Sequence, residues 1–390
     1  MHTLRLKKDA DRRIKAGHLW IFSNDINTDI NSLKNYAAGD LVRIETAAGT
    51  PIAIGYINPH CLLCIRILTL SLTNKIDKDF FIQKMQAAKL KREKFTFENY
   101  ARMVFGEADR LPGIVIDQFN HVLVIQLNTA GMENLKPLLI EAADHVFQPE
   151  IIVLKCDSSE RTNEGLSHYI DVVKGDLPEF ITVKENNCHY EIALLSAQKT
   201  GWFYDHRFNR ARIASYCTNK KVLDVFSYCG AFTIPAAKIA SDVTALDRSE
   251  TALKQLEKNA ALNNLNNIKV MCGDAEKTLQ LLVSQGKKFD VVILDPPALI
   301  KRKKDMPAGE KMYQKLNELA LRLLEDNGVL FSASCSMHLS ADSLLNVIRK
   351  AGVATKKELS VLEQCHQGPD HPIHPAIVET SYLKGFIVGC

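Results

Sequence analysis

The sequence lacks the long apolar runs that span a lipid bilayer. Its longest apolar stretches, such as Val291 to Leu294, fall far short of the roughly 18 residues that a transmembrane helix requires. The opening residues turn polar at Lys7-Lys8, before the apolar segment of a signal peptide could form. These absences argue against membrane and secreted proteins. We therefore expect a cytoplasmic protein with no membrane partner.

The chain also lacks a strong charge imbalance and a cysteine framework. With 390 residues, 46% of them hydrophobic, it can bury a large core without disulfides. We therefore expect its ten scattered cysteines to be reduced thiols, as in the cytosol. A formal net charge of +4 is weak evidence for a nucleic-acid partner, so the placement of the basic residues matters more.

Three regions of different pattern predict three domains. Residues 1–73 contain short strands separated by turns such as Gly39-Asp40 and Asn58-Pro59, which is typical of a small β-barrel. Residues 74–187 mix strands with two helical stretches, which predicts a central α+β domain. From residue 188 to 390 strands alternate with helices. This α/β pattern predicts a mostly parallel sheet with helices on both faces.

Acidic residues and one cysteine recur at the predicted strand ends of the α/β region. These residues are Asp224, Asp247, Asp274, Asp295 and Cys335. In sheets of this class, ligands bind at the carboxyl ends of the strands. We therefore predict the functional site at this edge.

The turn after the first of these strands points to a cationic cofactor. It has a single glycine, Gly230, rather than the glycine-rich loop that cradles phosphates. Carboxylates would repel a pyrophosphate, whereas they would attract the sulfonium and ammonium groups of S-adenosyl-L-methionine (SAM). The pattern therefore favours SAM over NAD. The predicted cofactor-binding residues of this region are Asp224, Phe226, Gly230, Asp247, Ser249, Asp274 and Asp295.

A proline pair follows the fourth acidic strand end. Asp295-Pro296-Pro297 predicts a rigid extended turn that directs the carboxylate toward the cofactor pocket, although a simple loop stiffener would look the same. Methyltransferases that act on exocyclic amines place an aromatic residue directly after such a pair. Ala298 stands there instead, which argues against methylation of an amino group.

Cys335 is the candidate nucleophile. A cysteine at a strand end is usually a packing residue, but this one lies beside Asp295 and between the small residues Ser334 and Ser336. An activated thiolate adds to carbon 6 of a cytosine, while Asp295 hydrogen-bonds to the ring nitrogen and stabilises the adduct. Carbon 5 then accepts a methyl group, and loss of its proton releases the cysteine. The pattern thus predicts Cys335 and Asp295 as catalytic residues.

A basic run borders the predicted site. Lys301, Arg302, Lys303 and Lys304 follow the proline pair within a few residues, and we predict that they hold RNA phosphates around a flipped base. A solvated loop is the alternative. The metal-like spacings, Cys61 to Cys64 and Cys365 to His374, lack a convincing ligand set, so we expect no metal.

Several short motifs resemble known families. Lys7-Lys8, Arg12-Arg13, Gly17 to Asn24 and Gly39 to Val42 resemble a PUA domain, a small RNA-binding barrel. The rest of the chain resembles the RlmI-type ribosomal RNA large-subunit methyltransferases. The matching stretches are Gln198 to Arg207, Phe226 to Tyr228, Leu294 to Pro297, Phe331 to Ser336 and Tyr382 to Gly385. The family's order of PUA, central and methyltransferase domains fits the three regions, so the resemblance covers essentially the whole chain.

The resemblance implies a Rossmann-like SAM-dependent methyltransferase that makes 5-methylcytosine in 23S ribosomal RNA, with Cys335 as nucleophile and Asp295 as its partner. It also implies that one segment closes over the cofactor, which adds Gln198, Thr200, Gly201, Asp205 and Arg207 to the predicted binding residues. A homodimer is compatible with the sequence. Two alternatives stay open: a methyltransferase for another base or RNA, and a non-catalytic RNA-binding ribosome assembly factor. The intact acidic strand ends weigh against the second.

Overall fold

The computed structural model describes residues 1–95 and 97–390, which form two compact units. Unit 1 comprises Met1–Ile181, Ala193–Tyr204 and Pro369–Thr380, and unit 2 comprises Thr182–Ile192, Asp205–Gly368 and Ser381–Cys390. Within these residues, no helix is both long and apolar enough to cross a membrane. The three-domain boundaries predicted from the sequence stay predictions.

The first sheet of unit 1 is five-stranded, with strand order β1-β3-β4-β5-β2. Its strands are β1 (His2–Arg5), β2 (Trp20–Phe22), β3 (Asp40–Glu45), β4 (Pro51–Ile57) and β5 (Leu63–Thr69). β1 pairs with β3 in parallel, and the other pairs are antiparallel. Alternate side chains such as Val42 and Ile44 enter the same core as Ile14 of the short helix α1 (Arg12–Lys15). The predicted small β domain is therefore present.

The second sheet of unit 1 has the strand order β10-β9-β8-β7-β6. Its strands are β6 (Tyr100–Phe105), β7 (Ile114–Phe119), β8 (Val122–Leu127), β9 (Ile151–Cys156) and β10 (Tyr169–Lys174), and the helices of this region are α2 (Lys78–Arg92), α3 (Ala130–Asn134), α4 (Lys136–Phe147) and α5 (Glu160–Asn163). The sequence predicts a helix from Asn134 to Val146, and α4 covers this stretch from Lys136 onward, while a separate short helix, α3, ends at Asn134. The turn that the sequence predicts at residues 118–120 includes Asn120, which lies between β7 and β8 and has a φ of +56°.

A β-hairpin leads into the α/β region. It joins β11 (Ile181–Glu185) to β12 (Cys188–Ile192) through Asn186 and Asn187. Both asparagines have positive φ, +51° and +57°, as in the two-residue turns that match the twist of paired strands.

Unit 2 is built on a seven-stranded sheet with the order β15-β14-β13-β16-β17-β19-β18. Its strands are β13 (Lys221–Val225), β14 (Asp242–Asp247), β15 (Ile268–Cys272), β16 (Phe289–Leu294), β17 (Leu324–Ser334), β18 (Ser360–His366) and β19 (Lys384–Gly389). The pairs among β13 to β17 are parallel, whereas β19 is antiparallel to both of its neighbours. This is the mostly parallel sheet that the sequence predicted.

The sheet of unit 2 carries helices on both faces. These helices are α6 (Arg207–Ala214), α7 (Thr233–Ala237), α8 (Glu250–Leu262), α9 (Ala275–Ser284), α10 (Met306–Leu323) and α11 (Ala341–Thr355). Leu223 joins a core with Leu316 of α10, whereas its neighbour Val222 joins a separate core with Ile213 of α6. Because successive strand residues face opposite sides of a sheet, the two cores lie on opposite faces.

Two expectations for this unit need correction. The helix predicted to begin at Tyr313 begins at Met306, because its first turns carry few buried residues and therefore give no apolar periodicity. The apolar, strand-like run around Cys272 predicts a buried thiol that packs as a small hydrophobe, but its side chain is exposed. The cause is that β15 is the edge strand of the sheet.

Candidate active site

One edge of the unit 2 sheet collects the predicted residues. The pairs Leu246–Val225, Val225–Leu294 and Leu294–Ser332 form a continuous row across β14, β13, β16 and β17. Asp247 and Asp295 come directly after this row, and Cys335 follows the end of β17. The structure therefore places these residues at the carboxyl end of neighbouring parallel strands, as predicted.

Asp224 is buried in β13 and has an unusual environment. The Thr233 hydroxyl donates a hydrogen bond of 2.6 Å to its Oδ2 atom. Its Oδ1 atom is buried and has no hydrogen-bond partner among the described residues. Burial raises the pKa of Asp224 to about 7, the Thr233 hydroxyl opposes the shift, and the charges of Asp295 and Asp247 add to it. A nearby cation would relieve this cost.

The turn after β13 has a contorted backbone. Phe226 and Tyr228 adopt positive φ values of +68° and +49°, and Gly230 has +94°. Such values are uncommon for residues other than glycine. At Gly230 a side chain would also collide with Leu256, since a Cβ atom there would lie 2.9 Å from its Cγ atom. The predicted residue Gly230 is therefore needed for the shape of this turn.

Asp247 holds the same turn from the next strand. Its Oδ2 atom accepts the amide of Tyr228 at 2.9 Å, and its Oδ1 atom accepts the amide of Ser249 at 2.8 Å. The Ser249 hydroxyl in turn caps α8 by accepting the amide of Ala252 at 3.2 Å, as predicted. Ser227, inside the turn, has a buried hydroxyl with no partner among the described residues. The turn thus contains a buried hydroxyl group that makes no hydrogen bond with the described residues.

Asp274 has a local structural contact. It is exposed, and its carboxylate caps α9 by accepting the amide of Lys277 at 3.1 Å. Since one oxygen of the carboxylate makes this bond, the other can accept further hydrogen bonds. The cofactor-binding role predicted for Asp274 stays a prediction.

His206 contacts Asp295, and the sequence did not predict this pair. The Nε2 atom of His206 lies 3.2 Å from Oδ1 of Asp295. The other ring nitrogen, Nδ1, lies 3.0 Å from the amide nitrogen of Asn209. Because an amide nitrogen only donates, Nδ1 accepts and the ring proton is on Nε2, directed at Asp295. The ring also packs edge-on against Phe232 and Phe331, which fixes its orientation.

Hydrogen bonds from α10 fix the residues on either side of Cys335. The Tyr313 hydroxyl lies 2.8 Å from the Ser334 hydroxyl and 3.0 Å from the Ser336 hydroxyl, and both serines are fully buried. Cys335 between them is partly exposed. The Ser336 hydroxyl also accepts the amide of Ile300 at 3.1 Å. The loop that follows Asp295 is thereby tied to the loop that carries Cys335.

The predicted cofactor-closing segment is divided between the two units. Gln198, Thr200 and Gly201 belong to unit 1, and Asp205 and Arg207 belong to unit 2. In unit 2, Asp205 accepts a hydrogen bond from the Tyr382 hydroxyl. Arg207 forms a buried ion pair, 3.3 Å from Nε to an oxygen of Glu185, within the same unit. The cofactor-binding roles of all five residues stay predictions.

The basic run follows the loop that Ser336 anchors. Lys301, Arg302, Lys303 and Lys304 are all exposed and lead directly into α10. Of these, Arg302 forms an exposed ion pair of 3.1 Å with Asp305. Exposed cations at this position are available to phosphate groups. As for metals, the described residues contain no group of three or more His, Cys, Asp or Glu that could hold an ion.

Comparison with known proteins adds domain assignments. Residues 4–70 match the model of a PUA-like domain, and residues 218–369 match that of a methyltransferase domain. A putative SAM-dependent methyltransferase from Streptococcus mutans covers the whole of both chains with a TM-score of 0.85 at 20% identity. A putative methyltransferase complexed with SAH does so with a TM-score of 0.86, also at 20% identity. At this identity the likeness establishes the fold.

Curated relatives match the chain over nearly its full length. Ribosomal RNA large subunit methyltransferase I of Shewanella frigidimarina is 33% identical, with 98% of each chain covered. The protein of the same name from Shewanella denitrificans is 34% identical with the same coverage. Both identity and coverage are high enough to indicate common descent of the entire chain.

Proposed function

Because this chain belongs to the ribosomal RNA large subunit methyltransferase I family, we propose that it methylates carbon 5 of a cytosine in 23S ribosomal RNA through a covalent cysteine adduct. The observation that carries the proposal is the placement of Asp295 and Cys335. They follow adjacent parallel strands, and the hydrogen bond from Ile300 to Ser336 holds their two loops together. A nucleophile and a hydrogen-bonding partner fixed at one edge of a sheet fit attack on a planar base.

SAM fits the residues of this edge. Asp224 and Ser227 each present a buried oxygen without a partner among the described residues, and Asp247 lies beside them with partly used oxygens. The mutual repulsion of the carboxylates would be offset by a ligand with two positive charges. Asp224 and Asp247 would hold SAM, with Phe226 and Gly230 shaping its pocket. When bound, SAM supplies an electrophilic methyl group.

Cys335 begins the proposed reaction on the cytosine. Its thiolate attacks carbon 6, which forms a sulfur–carbon bond and pushes electron density toward ring nitrogen 3. Carbon 5 becomes nucleophilic as a result and can accept the methyl group. Removal of the proton from carbon 5 then restores the ring double bond and expels the Cys335 thiolate. Electrons and atoms balance, because the net change is one methyl group gained and one proton lost.

Asp295 stabilises the adduct in this scheme. A carboxyl group donates a hydrogen bond only when protonated, so the step needs the proton of Asp295 at the ring nitrogen. The contact with His206 suits that arrangement, because its Nε2 atom lies 3.2 Å from Oδ1 of Asp295 and leaves Oδ2 for the base. His206 is therefore a positioning residue for Asp295.

The exposed basic run, Lys301 to Lys304, would bind the RNA backbone next to this site. Phosphate contacts of this kind position a nucleic acid without reading its sequence. Holding the flanking backbone favours a flipped base over a stacked one, since the enzyme must reach carbons 5 and 6 of the ring. The PUA-like domain at residues 4–70 supports an RNA substrate.

The test is incorporation of labelled methyl from SAM into unmodified 23S ribosomal RNA, followed by nucleoside analysis. We expect label in 5-methylcytosine with the wild-type protein and a loss of at least about a thousandfold with Cys335→Ala, since a covalent nucleophile is removed. Cys272→Ala is the matched control, because this exposed thiol lies in the same unit on the edge strand.

Three outcomes would contradict the proposal. Label in another nucleoside would favour a methyltransferase for a different base. Label that persists in Cys335→Ala would exclude the cysteine adduct. Failure of the wild-type protein to bind SAM in equilibrium titration would favour the assembly factor.

A further inference from the structure

Lys384 is a buried lysine beside the loop that carries Cys335. It begins β19, where it is paired with Ser334, the last residue of β17. Its side chain is 7% exposed. Lysine is almost never buried to this extent without a partner that compensates its charge. The contacts of its ammonium group therefore need an explanation.

The ammonium group of Lys384 binds the backbone that follows Cys335. It donates hydrogen bonds of 2.6 Å to the carbonyl oxygen of Ser336 and 2.7 Å to that of Leu339. These carbonyls lie one and four residues after Cys335 along the chain. Because an ammonium group has three protons, a third donor is left after these two bonds. Lys384 thus closes the turn that begins at the candidate nucleophile.

The charge of Lys384 also interacts with Cys335. Burial lowers the pKa of Lys384 to about 8, and the charge of the Cys335 thiolate opposes that shift. Among the described residues, no carboxylate forms an ion pair with Lys384. Tyr313 also interacts with Cys335, and burial raises the pKa of its phenol, so that it stays neutral at pH 7. The ammonium group is thus held by two carbonyls at the turn after Cys335, where its positive charge favours the thiolate over the thiol.

We propose that Lys384 is a positioning residue for the nucleophile: its ammonium group fixes the turn after Cys335 and stabilises the thiolate form of that side chain. This inference rests on the proposed function, in which Cys335 attacks the base. A thiol attacks only as its thiolate, and a neighbouring cation is a common means of increasing the thiolate fraction at neutral pH. The Ser336 and Leu339 carbonyls hold the cation in place, since both their bonds are short.

The test measures the alkylation rate of Cys335 by iodoacetamide against pH, with peptides separated by mass spectrometry. We compare the wild-type protein with Lys384→Met, which keeps the length of the side chain and removes its charge. We expect the apparent pKa of Cys335 to rise by about one unit or more, so that its alkylation at pH 7 slows about tenfold. Cys272 serves as an internal reference, because it is exposed in the same unit.

Lys357→Met is the matched control. Lys357 also binds backbone carbonyls of β17, at 3.2 Å to Leu324 and 3.4 Å to Glu325, but these lie at the opposite end of the strand from Cys335. We expect its alkylation profile at Cys335 to match the wild type. An unchanged profile in Lys384→Met, or an equal shift in Lys357→Met, overturns the proposal.

Two further measurements decide the matter if Lys384→Met does not fold. Lys384→Arg keeps the positive charge and Lys384→Gln removes it, so equal rates in these two variants would contradict a role for the charge. The wild-type profile is itself a test, because a Cys335 pKa at or above the ordinary thiol value of about 8.5 overturns the proposal. Alkylation uses neither RNA nor SAM. Its outcome is therefore separate from the methylation assay of Cys335→Ala, which tests the proposed function.

Discussion

Buried carboxylates have opposite electrostatic surroundings in the two units. In unit 1, Asp109 lies 2.6 Å from a guanidinium nitrogen of Arg92, and Asp117 lies 2.8 Å from one of Arg102. In unit 2, burial raises the pKa of Asp224, and the charges of the neighbouring Asp295 and Asp247 raise it further. The first arrangement compensates each negative charge within the fold. The second arrangement leaves a negative charge that a bound, positively charged ligand would compensate.

Unit 2 also contains a buried acid whose charge is compensated by an arginine, so the uncompensated Asp224 is informative. Glu185 of that unit binds Arg210 through two hydrogen bonds, of 2.6 and 2.9 Å. At the strand ends, by contrast, the charges of Asp247 and Asp295 act on the buried Asp224. A site that keeps acids together at a cost in stability is a candidate for binding a cation.

The largest expected effect comes from breaking a compensated pair. Arg92→Met leaves Asp109 buried with only the half-exposed Lys91 as a charged partner. Removing one member of a buried ion pair typically costs about 3–5 kcal/mol, and we expect a decrease of that size in the free energy of unfolding. Denaturant titration measures it. Arg12→Met, which removes an exposed pair with Asp9 in the same unit, should change it by less than about 1 kcal/mol. Equal effects of the two variants would contradict the compensating role assigned to the buried pair of Arg92 and Asp109.

The next effect concerns the acid cluster. Asp224→Asn removes a negative charge near the proposed SAM site, and we expect SAM affinity to fall about ten- to a hundredfold in calorimetric titration. Asp290→Asn, at the opposite end of β16, is the control and should leave the affinity unchanged. A variant at Asp224 that binds SAM as the wild type does would contradict the role assigned to the cluster.

The same variant has a pH signature. The pKa of Asp224 is about 7 in the folded protein against its ordinary value of 3.8, so between these pH values the folded state binds a proton that the unfolded chain has lost. The contribution of this group to the free energy of unfolding therefore falls as pH rises from about 4 to about 7. Asp224→Asn should lack that decline, and its SAM affinity should not increase with pH through 7 as that of the wild type does. Denaturant titrations and SAM titrations at several pH values measure both.

The smallest expected effect concerns the contact between His206 and Asp295. His206→Ala removes the 3.2 Å contact with Oδ1 of Asp295, and the loss of a polar interaction of about 1 kcal/mol should lower kcat three- to tenfold. KM for SAM should stay constant, because the group acts on Asp295. His206→Gln, whose amide can still donate, should recover part of the rate. If the alanine variant has the wild-type kcat, His206 does not position Asp295.

Patterns that repeat along the chain were predictable from the sequence. The positions of Asp247, Asp295 and Cys335 followed from the rule that parallel strands end at one edge of a sheet. The cap at Ser249 followed from its residue type and its place before an amphipathic stretch. Each of these inferences needs only neighbours in sequence and the handedness of β–α–β connections.

Contacts between distant elements were not predictable in this way. His206 precedes Asp295 by a long stretch of chain, and its neighbours Asp205 and Arg207 were singled out only because of a family resemblance. Lys384 lies in a stretch that resembles the family, but nothing local to it signals a bond to the backbone after Cys335. Tyr313 looked like an ordinary helix residue, and its hydroxyl contacts depend on the packing of α10 against β17.

The position of β19 has a consequence for the order in which the protein is made. This strand lies between β17 and β18, although both precede it in the sequence. During synthesis, β18 has no place in the sheet until β19 has left the ribosome and paired with β17. Lys384 arrives with that strand. The turn after Cys335 therefore acquires its two lysine hydrogen bonds only after β19 has been made, and a nascent chain would carry an incompletely held thiol until then.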